Sequence, residues 1–170
     1  VLDDIIIYCK RQDLFMVVIN AANNDKIQAW FNGVLSGEIV IDDVDARPIS
    51  QMPTMRDLRD QASGDDQRVD IAVQGPKSKD VIFRLIEDDS VRTQIDQLKS
   101  FAFIETTIGN ADVLISMTGY TGASIAYEIY VHPNKACWIV DQLLEKGISL
   151  GIKPCGLGSR DSLRIEAGLP

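Results

Sequence analysis

The rhythm of hydrophobic and polar positions changes several times along this chain, and each change marks an element. Residues 5–8 and 14–19 are β-branched runs parted by the polar Lys10-Arg11-Gln12-Asp13, which predicts a hairpin. Between 24 and 35, Ile27, Trp30, Phe31 and Val34 recur at helical spacing, with Asn24 as N-cap and Gly37 as terminator. Residues 38–44 alternate again and read as a third strand. The stretch 46–67 keeps no period and holds Pro48, Pro53, Met52, Met55 and an Asp65-Asp66 step. It reads as a solvated loop insertion or a domain boundary, with a short helix over 55–61, and long loops are commonly functional.

Period two returns at 68–73 and runs into Gln74-Gly75-Pro76. Pro76 suits the first position of a helix whose apolar face is Val81, Ile82, Leu85 and Ile86. A short helix is expected over 91–98. Strands over 101–107 and 113–117 pair around Gly109-Asn110, and another strand covers 127–131. Pro133-Asn134 opens a helix through 144, and a last helix runs from about 158 to 167. Strands and helices mix without a βαβ repeat, so the predicted class is α+β.

Composition narrows the picture. The chain has 170 residues, 45% apolar and 25% charged, which is globular usage. The net charge of −8 disfavours a nucleic-acid binder, whose affinity comes mainly from Lys and Arg on phosphates. No apolar run reaches the ~18–20 residues of a membrane span. Cys9, Cys137 and Cys155 form no CxxC pair and no disulfide framework, which suits a reducing, intracellular setting. Cys9 and Cys137 are expected as buried thiols. The chain starts without Met inside an apolar stretch and stops just after a helical pattern, so we read it as an internal fragment of a longer protein.

Candidate chemistry is sparse. There is no Walker loop, no GxGxxG and no HExxH, and the single histidine, His132, precedes Pro133 at a strand-to-helix junction, where a surface or capping role is expected. Asp3-Asp4 leads into an apolar strand, where alternation turns one carboxylate inward to orient or protonate a ligand, or leaves it as an ordinary strand-start acid. Thr118-Gly119-Tyr120-Thr121-Gly122 brackets an aromatic hydroxyl with two glycines, a tight turn that presents the ring. Glu128 follows in a strand, and a carboxylate there accepts paired N–H donors such as an amino-pyrimidinone edge, or is a plain surface acid. Arg160 lies in the first turn of the last helix, against the dipole preference for acids. Either it is held for a partner or it pairs with Asp161 or Glu166.

Together these segments resemble the T-protein (aminomethyltransferase) family of the glycine cleavage system. The resemblance rests on Val1-Leu2-Asp3-Asp4-Ile5-Ile6, Val17-Val18-Ile19-Asn20-Ala21-Ala22-Asn23, Ala72-Val73-Gln74-Gly75-Pro76, Thr118 to Gly122 and the stretch 156–170, in the family's order over nearly the whole chain. It implies parts of two mixed α/β lobes of a folate-binding fold, without the family's C-terminal β-rich domain. Residues 1–65 would belong to the second lobe, with 46–67 as an insertion, and 66–170 to the first lobe with the pterin-site motifs. It also implies Asp3 as the catalytic carboxylate and Asn20, Phe103, Tyr120, Glu128 and Arg160 as folate-binding residues. The implied reaction moves a one-carbon unit from the aminomethylated lipoyl arm of H-protein to tetrahydrofolate, with no metal, no nucleic acid and no membrane. Folate-dependent relatives such as dimethylglycine- or sarcosine-type enzymes and demethylases, or a non-catalytic folate binder, are the alternatives. The location would be the cytoplasm of a bacterium or archaeon, or the mitochondrial matrix of a eukaryote. One departure stands out: Ala123-Ser124-Ile125-Ala126-Tyr127 is apolar and one residue longer than the family's acidic, Gly-containing link to the Glu.

Overall fold

In a computed structural model, residues 2–41 and 51–169 are described, and the chain divides into two compact units, Val1–Arg56 and Asp57–Pro170. In the first unit, β1 (Ile6–Arg11) and β2 (Leu14–Val18) form an antiparallel hairpin with Tyr8 opposite Met16 and Ile7 opposite Val17. Alternation then separates two faces. Tyr8 and Met16 are buried, as is Ile27 of helix α1 (Asn24–Ser36), while Ile7, Phe15 and Val17 are exposed. A 3-10 turn at Ala21–Asn23 leads into α1, so Asn23 rather than Asn24 takes the N-cap position, without a side-chain capping bond. Gly37 ends the helix with φ +79°, a left-handed conformation that glycine adopts without steric cost.

The expected strand over 38–44 is not formed at 38–41, and its remainder lies outside the described residues. The same holds for 46–50 of the expected insertion. The helix expected over 55–61 is replaced by a turn. A 3-10 segment follows at Gln61–Asp66, where Asp60 accepts from the Ala62 N–H at 2.9 Å.

The second unit is built on a four-stranded antiparallel sheet, β3 (Val69–Gln74), β6 (Ala126–Val131), β5 (Ala111–Ser116) and β4 (Phe103–Ile108), in that spatial order. One face carries Ile71, Val73, Ile129, Val131, Val113, Ile115 and Ile108. It packs with Val81, Ile82, Leu85 and Ile86 around helix α2 (Ser78–Phe83), Ile95 of α3 (Asp89–Asp96), and Ile139 and Leu143 of α4 (Pro133–Gly147). Each fully buried isoleucine or leucine there stabilises by about 1.5–3 kcal/mol relative to exposure. The apolar face predicted for the helix after Pro76 is thus the one that is buried. The helix itself starts at Ser78, because the Ser78 N–H bonds back to the Gly75 carbonyl at 2.9 Å and spends Pro76 and Lys77 in a turn.

His132 caps α4: its Nδ1 accepts from the Asn134 N–H at 3.2 Å. That assignment leaves the proton on Nε2, which donates to the Gly64 carbonyl at 3.2 Å. The helices and antiparallel sheets are those of an α+β protein. All three cysteines are exposed, which corrects the buried thiols expected at positions 9 and 137. Cys9 stands opposite Phe15 on the exposed face of the hairpin, and Cys137 lies on α4 away from Ile139 and Leu143.

Candidate functional site

Hairpin closure decides the surroundings of Asp3. Pairing of Ile6 with Val18 brings the residues before β1 beside those after β2. The Asn20 backbone N–H donates to Asp3 Oδ2 at 3.1 Å, and its Nδ2 donates to Asp3 Oδ1 at 2.8 Å. Asn23 Nδ2 adds a third bond to Oδ1 at 2.7 Å. Asn20 Nδ2 also reaches Asp4 Oδ1 at 2.6 Å. Donors aimed at a carboxylate favour its charged form. The Asn20 side chain is the main cause that holds Asp3 below the usual 3.8. A loss of hydration opposes it, and Asn23 and the Asn20 backbone support it. Asp3 is therefore an oriented anion at neutral pH. Asn23, which the sequence reading did not single out, belongs to this cluster, and its signal was its place one helical turn after Asn20.

In the second unit the site lies on the sheet face opposite the core. Register places Phe103, Ser116, Glu128 and Ala72 in one row across the four strands, with Glu105, Leu114, Tyr130 and Asp70 in the next. Strands stand about 4.8 Å apart, so Phe103 is two strand spacings from Glu128, roughly 10 Å. Ala72, small and exposed, leaves open space beside Glu128.

Glu128 is fixed by hydroxyls. Thr118 Oγ1 donates to its Oε2 at 2.5 Å, and the Tyr130 hydroxyl donates to the same oxygen at 3.2 Å. Thr118 and Ser116 are buried, with their hydroxyl oxygens 2.7 Å apart. Since the Thr118 proton is committed to Glu128, Ser116 must donate to Thr118, which sets the direction of the whole chain. Oε1 carries no protein donor among the described residues, so it is the oxygen left to accept from a ligand.

Asp70 is a second residue that sequence reasoning missed. It lies diagonal to Glu128 on the same face and is exposed. Surrounding protein nevertheless strips enough water from it, with the Glu128 charge adding to the effect, to raise its pKa from 3.8 to about 7; the Arg160 guanidinium pulls the other way. An Asp alternating with apolar residues in a strand reads as an ordinary solvent-facing acid. Only the pairing with a strand 58 positions downstream shows otherwise.

Helix α5 (Leu157–Glu166) brings in Arg160, whose guanidinium carbon sits 5.4 Å from the centre of the Tyr120 ring. That is a cation–π distance. Of the two acids that could have paired with Arg160, Asp161 instead takes Arg164 at 2.7 Å, and no ion pair of Arg160 with Asp161 or Glu166 is found among the described residues. Arg160 thus touches Tyr120, and Arg160 and Glu128 both act on Asp70. Phe103 shares their sheet face, half-buried, whereas Asp3 and Asn20 form their own cluster within the first unit. Among the described residues no group of three or more His, Cys, Asp or Glu side chains would hold a metal ion, and no helix is long and apolar enough to cross a membrane.

The first unit thus holds an oriented aspartate, and the second a sheet face that combines a tethered carboxylate, an aromatic turn and a guanidinium. The chain belongs to the family of the GCVT N-terminal domain, whose model matches residues 1–170. It is 38% identical over 169 residues to an aminomethyltransferase of Bacillus subtilis and 34% identical over 168 residues to one of Halothermothrix orenii. It is 37% identical over 169 residues to one of Porphyromonas gingivalis. Each alignment covers 99% of this chain, and the chain spans about 40% of the length of these curated relatives.

Proposed function

We propose that this protein is a tetrahydrofolate-dependent aminomethyltransferase of glycine cleavage. In the proposed reaction, the carbon of an aminomethyl group on the dihydrolipoyl arm of H-protein is transferred to tetrahydrofolate. The carbon–sulfur and carbon–nitrogen bonds of the donor break, giving methylenetetrahydrofolate, ammonia and the free dithiol carrier. Residues 1–65 and 66–170 are then parts of two lobes of the folate-binding region.

The observation that carries this reading is Glu128, held through one oxygen by Thr118 and Tyr130 with the other left to accept. The N–H and NH₂ of a pterin are the matching pair of donors. Tyr120, backed by Arg160, supplies an aromatic face, and Phe103 supplies apolar wall on the same side of the sheet. Asp3, kept anionic by Asn20 and Asn23, would stabilise positive charge at the folate nitrogen or relay a proton as ammonia leaves. Holding donor carbon and acceptor nitrogen together would supply much of the acceleration.

Calorimetric titration of tetrahydrofolate into the full-length protein and its Glu128→Ala variant tests the reading. The expected result is saturable binding that weakens by about 1.5–3 kcal/mol in the variant, the usual worth of a hydrogen bond to a charged group. No binding to the folded parent protein would overturn it. Binding without aminomethyl transfer would instead favour a folate-binding relative of other activity.

A further inference from the structure

Gln74 closes β3 at the point where three segments meet. It stands opposite Ala126 in the β3–β6 ladder, on the same face as Glu128. Its Nε2 donates to the Tyr127 carbonyl at 3.0 Å and, more weakly, to the Thr118 carbonyl at 3.5 Å. Its Oε1 accepts from the Thr121 hydroxyl at 3.2 Å. One amide therefore spans the start of β6 and both sides of the turn that carries Tyr120.

The turn is built to lie against this amide. A Cβ at Gly119 would stand 2.1 Å from Gln74 Oε1 and 2.4 Å from the Ala126 methyl, so any side chain there would push the turn off its seat. On the far side, a Cβ at Gly122 would stand 2.4 Å from the Ala167 Cβ, at the end of α5. The turn that carries Tyr120 thereby lies between the Gln74 amide and the helix that supplies Arg160.

We propose that Gln74 is a positioning residue for Tyr120, its amide tying the turn 118–122 to β6 so that the ring is presented to the ligand. The proposal rests on the folate-site reading of Tyr120 for its functional readout, but the tie itself does not. The chemistry requires a group that donates and accepts at once and has the length of glutamine. Glutamate would set an anion against two carbonyls, methionine fills the space without hydrogen bonds, and asparagine is one carbon short.

The test is a double-mutant cycle in the full-length protein, with Gln74→Met, Tyr120→Ala and their combination titrated with tetrahydrofolate. The expected result is a loss of about three- to tenfold for Gln74→Met alone, in the range of one or two neutral hydrogen bonds. It should shrink to less than about twofold in the Tyr120→Ala background, because the two act as a unit. Equal losses in both backgrounds, or no loss in a folded Gln74→Met protein, would overturn the proposal.

Fluorotyrosine NMR reads the tie without a ligand, with the Tyr120 signal assigned by its absence from the Tyr120→Ala protein. Gln74→Met should displace the Tyr120 signal, and an unmoved signal would overturn the tie even if the parent bound no folate. Should Gln74→Met fail to fold, Thr121→Val removes only the bond to Oε1 and should show the same coupling to Tyr120 in weaker form. Additive behaviour there would be equally fatal.

Discussion

Two aspartates, Asp3 in the first unit and Asp70 in the second, begin with the same intrinsic acidity and end in opposite states. Asp3 collects three N–H donors from Asn20 and Asn23 and is held below the usual carboxylate range. No donor to Asp70 is found among the described residues; it is crowded by protein and faces the Glu128 charge, and it rises to about 7. Loss of water is the main cause of the rise at Asp70, whereas at Asp3 the Asn20 amide outweighs it. What decides is whether aimed donors replace the lost water. A carboxylate meant to stay charged comes with amides around it, and one that shares a face with another carboxylate comes with a cation, here Arg160.

The contrast breaks most visibly at Asp3. Asp3→Asn keeps the shape and loses the charge, so it should lower turnover by on the order of 100-fold or more while tetrahydrofolate binding stays within about threefold. Single-turnover kinetics beside a binding titration separate the two. Unchanged turnover would remove Asp3 from the mechanism.

At Asp70 the expected effect is on stability, and its sign is opposite to that at Asp3. Because the folded pKa of Asp70 lies above the unfolded 3.8, its contribution is complete below pH 3.8 and is lost as pH rises toward about 7. Asp3, with a lowered value, contributes above 3.8 and loses its contribution as pH falls below that. Melting temperatures of Asp70→Asn should thus fall less than those of the parent protein between pH 4 and 7, with the variant the more stable at pH 8. Parallel curves would mean that Asp70 titrates normally and that its surroundings do not strip it of water.

Much of this was legible in the sequence, for identifiable reasons. Helix α1 and the apolar face following Pro76 were visible because 3.6-residue periodicity needs no partner to be recognised. Glu128 and Phe103 fall on one sheet face by alternation once the strands are placed. Asp70 and the Gln74 tie were not legible, since both depend on register between segments more than 40 positions apart. The buried thiols expected at positions 9 and 137 are exposed because which face of an element is covered is decided by packing, and Cys9 shares the uncovered hairpin face with Phe15. Arg160 broke the helix-start rule visibly, but only the structure showed that Tyr120 and not Asp161 was its contact.

The smallest and most discriminating effect is expected at Arg160, where stacking and charge can be pulled apart. Arg160→Lys keeps the positive charge near Asp70 but loses the planar group over Tyr120, and Arg160→Met loses both. The stack is exposed, so its loss should cost about 0.5–1 kcal/mol of ligand binding in either variant. The carboxyl of Asp70 should distinguish them: its midpoint should stay near 7 with Lys and rise with Met, because the Arg160 guanidinium favours its charged form. Carbon-detected titration of the aspartate side chains measures this directly. A midpoint that moves equally in both variants would show that Arg160 acts on Asp70 through the placement of α5 rather than through its charge, and the symmetry between the two aspartates would then rest on donors alone.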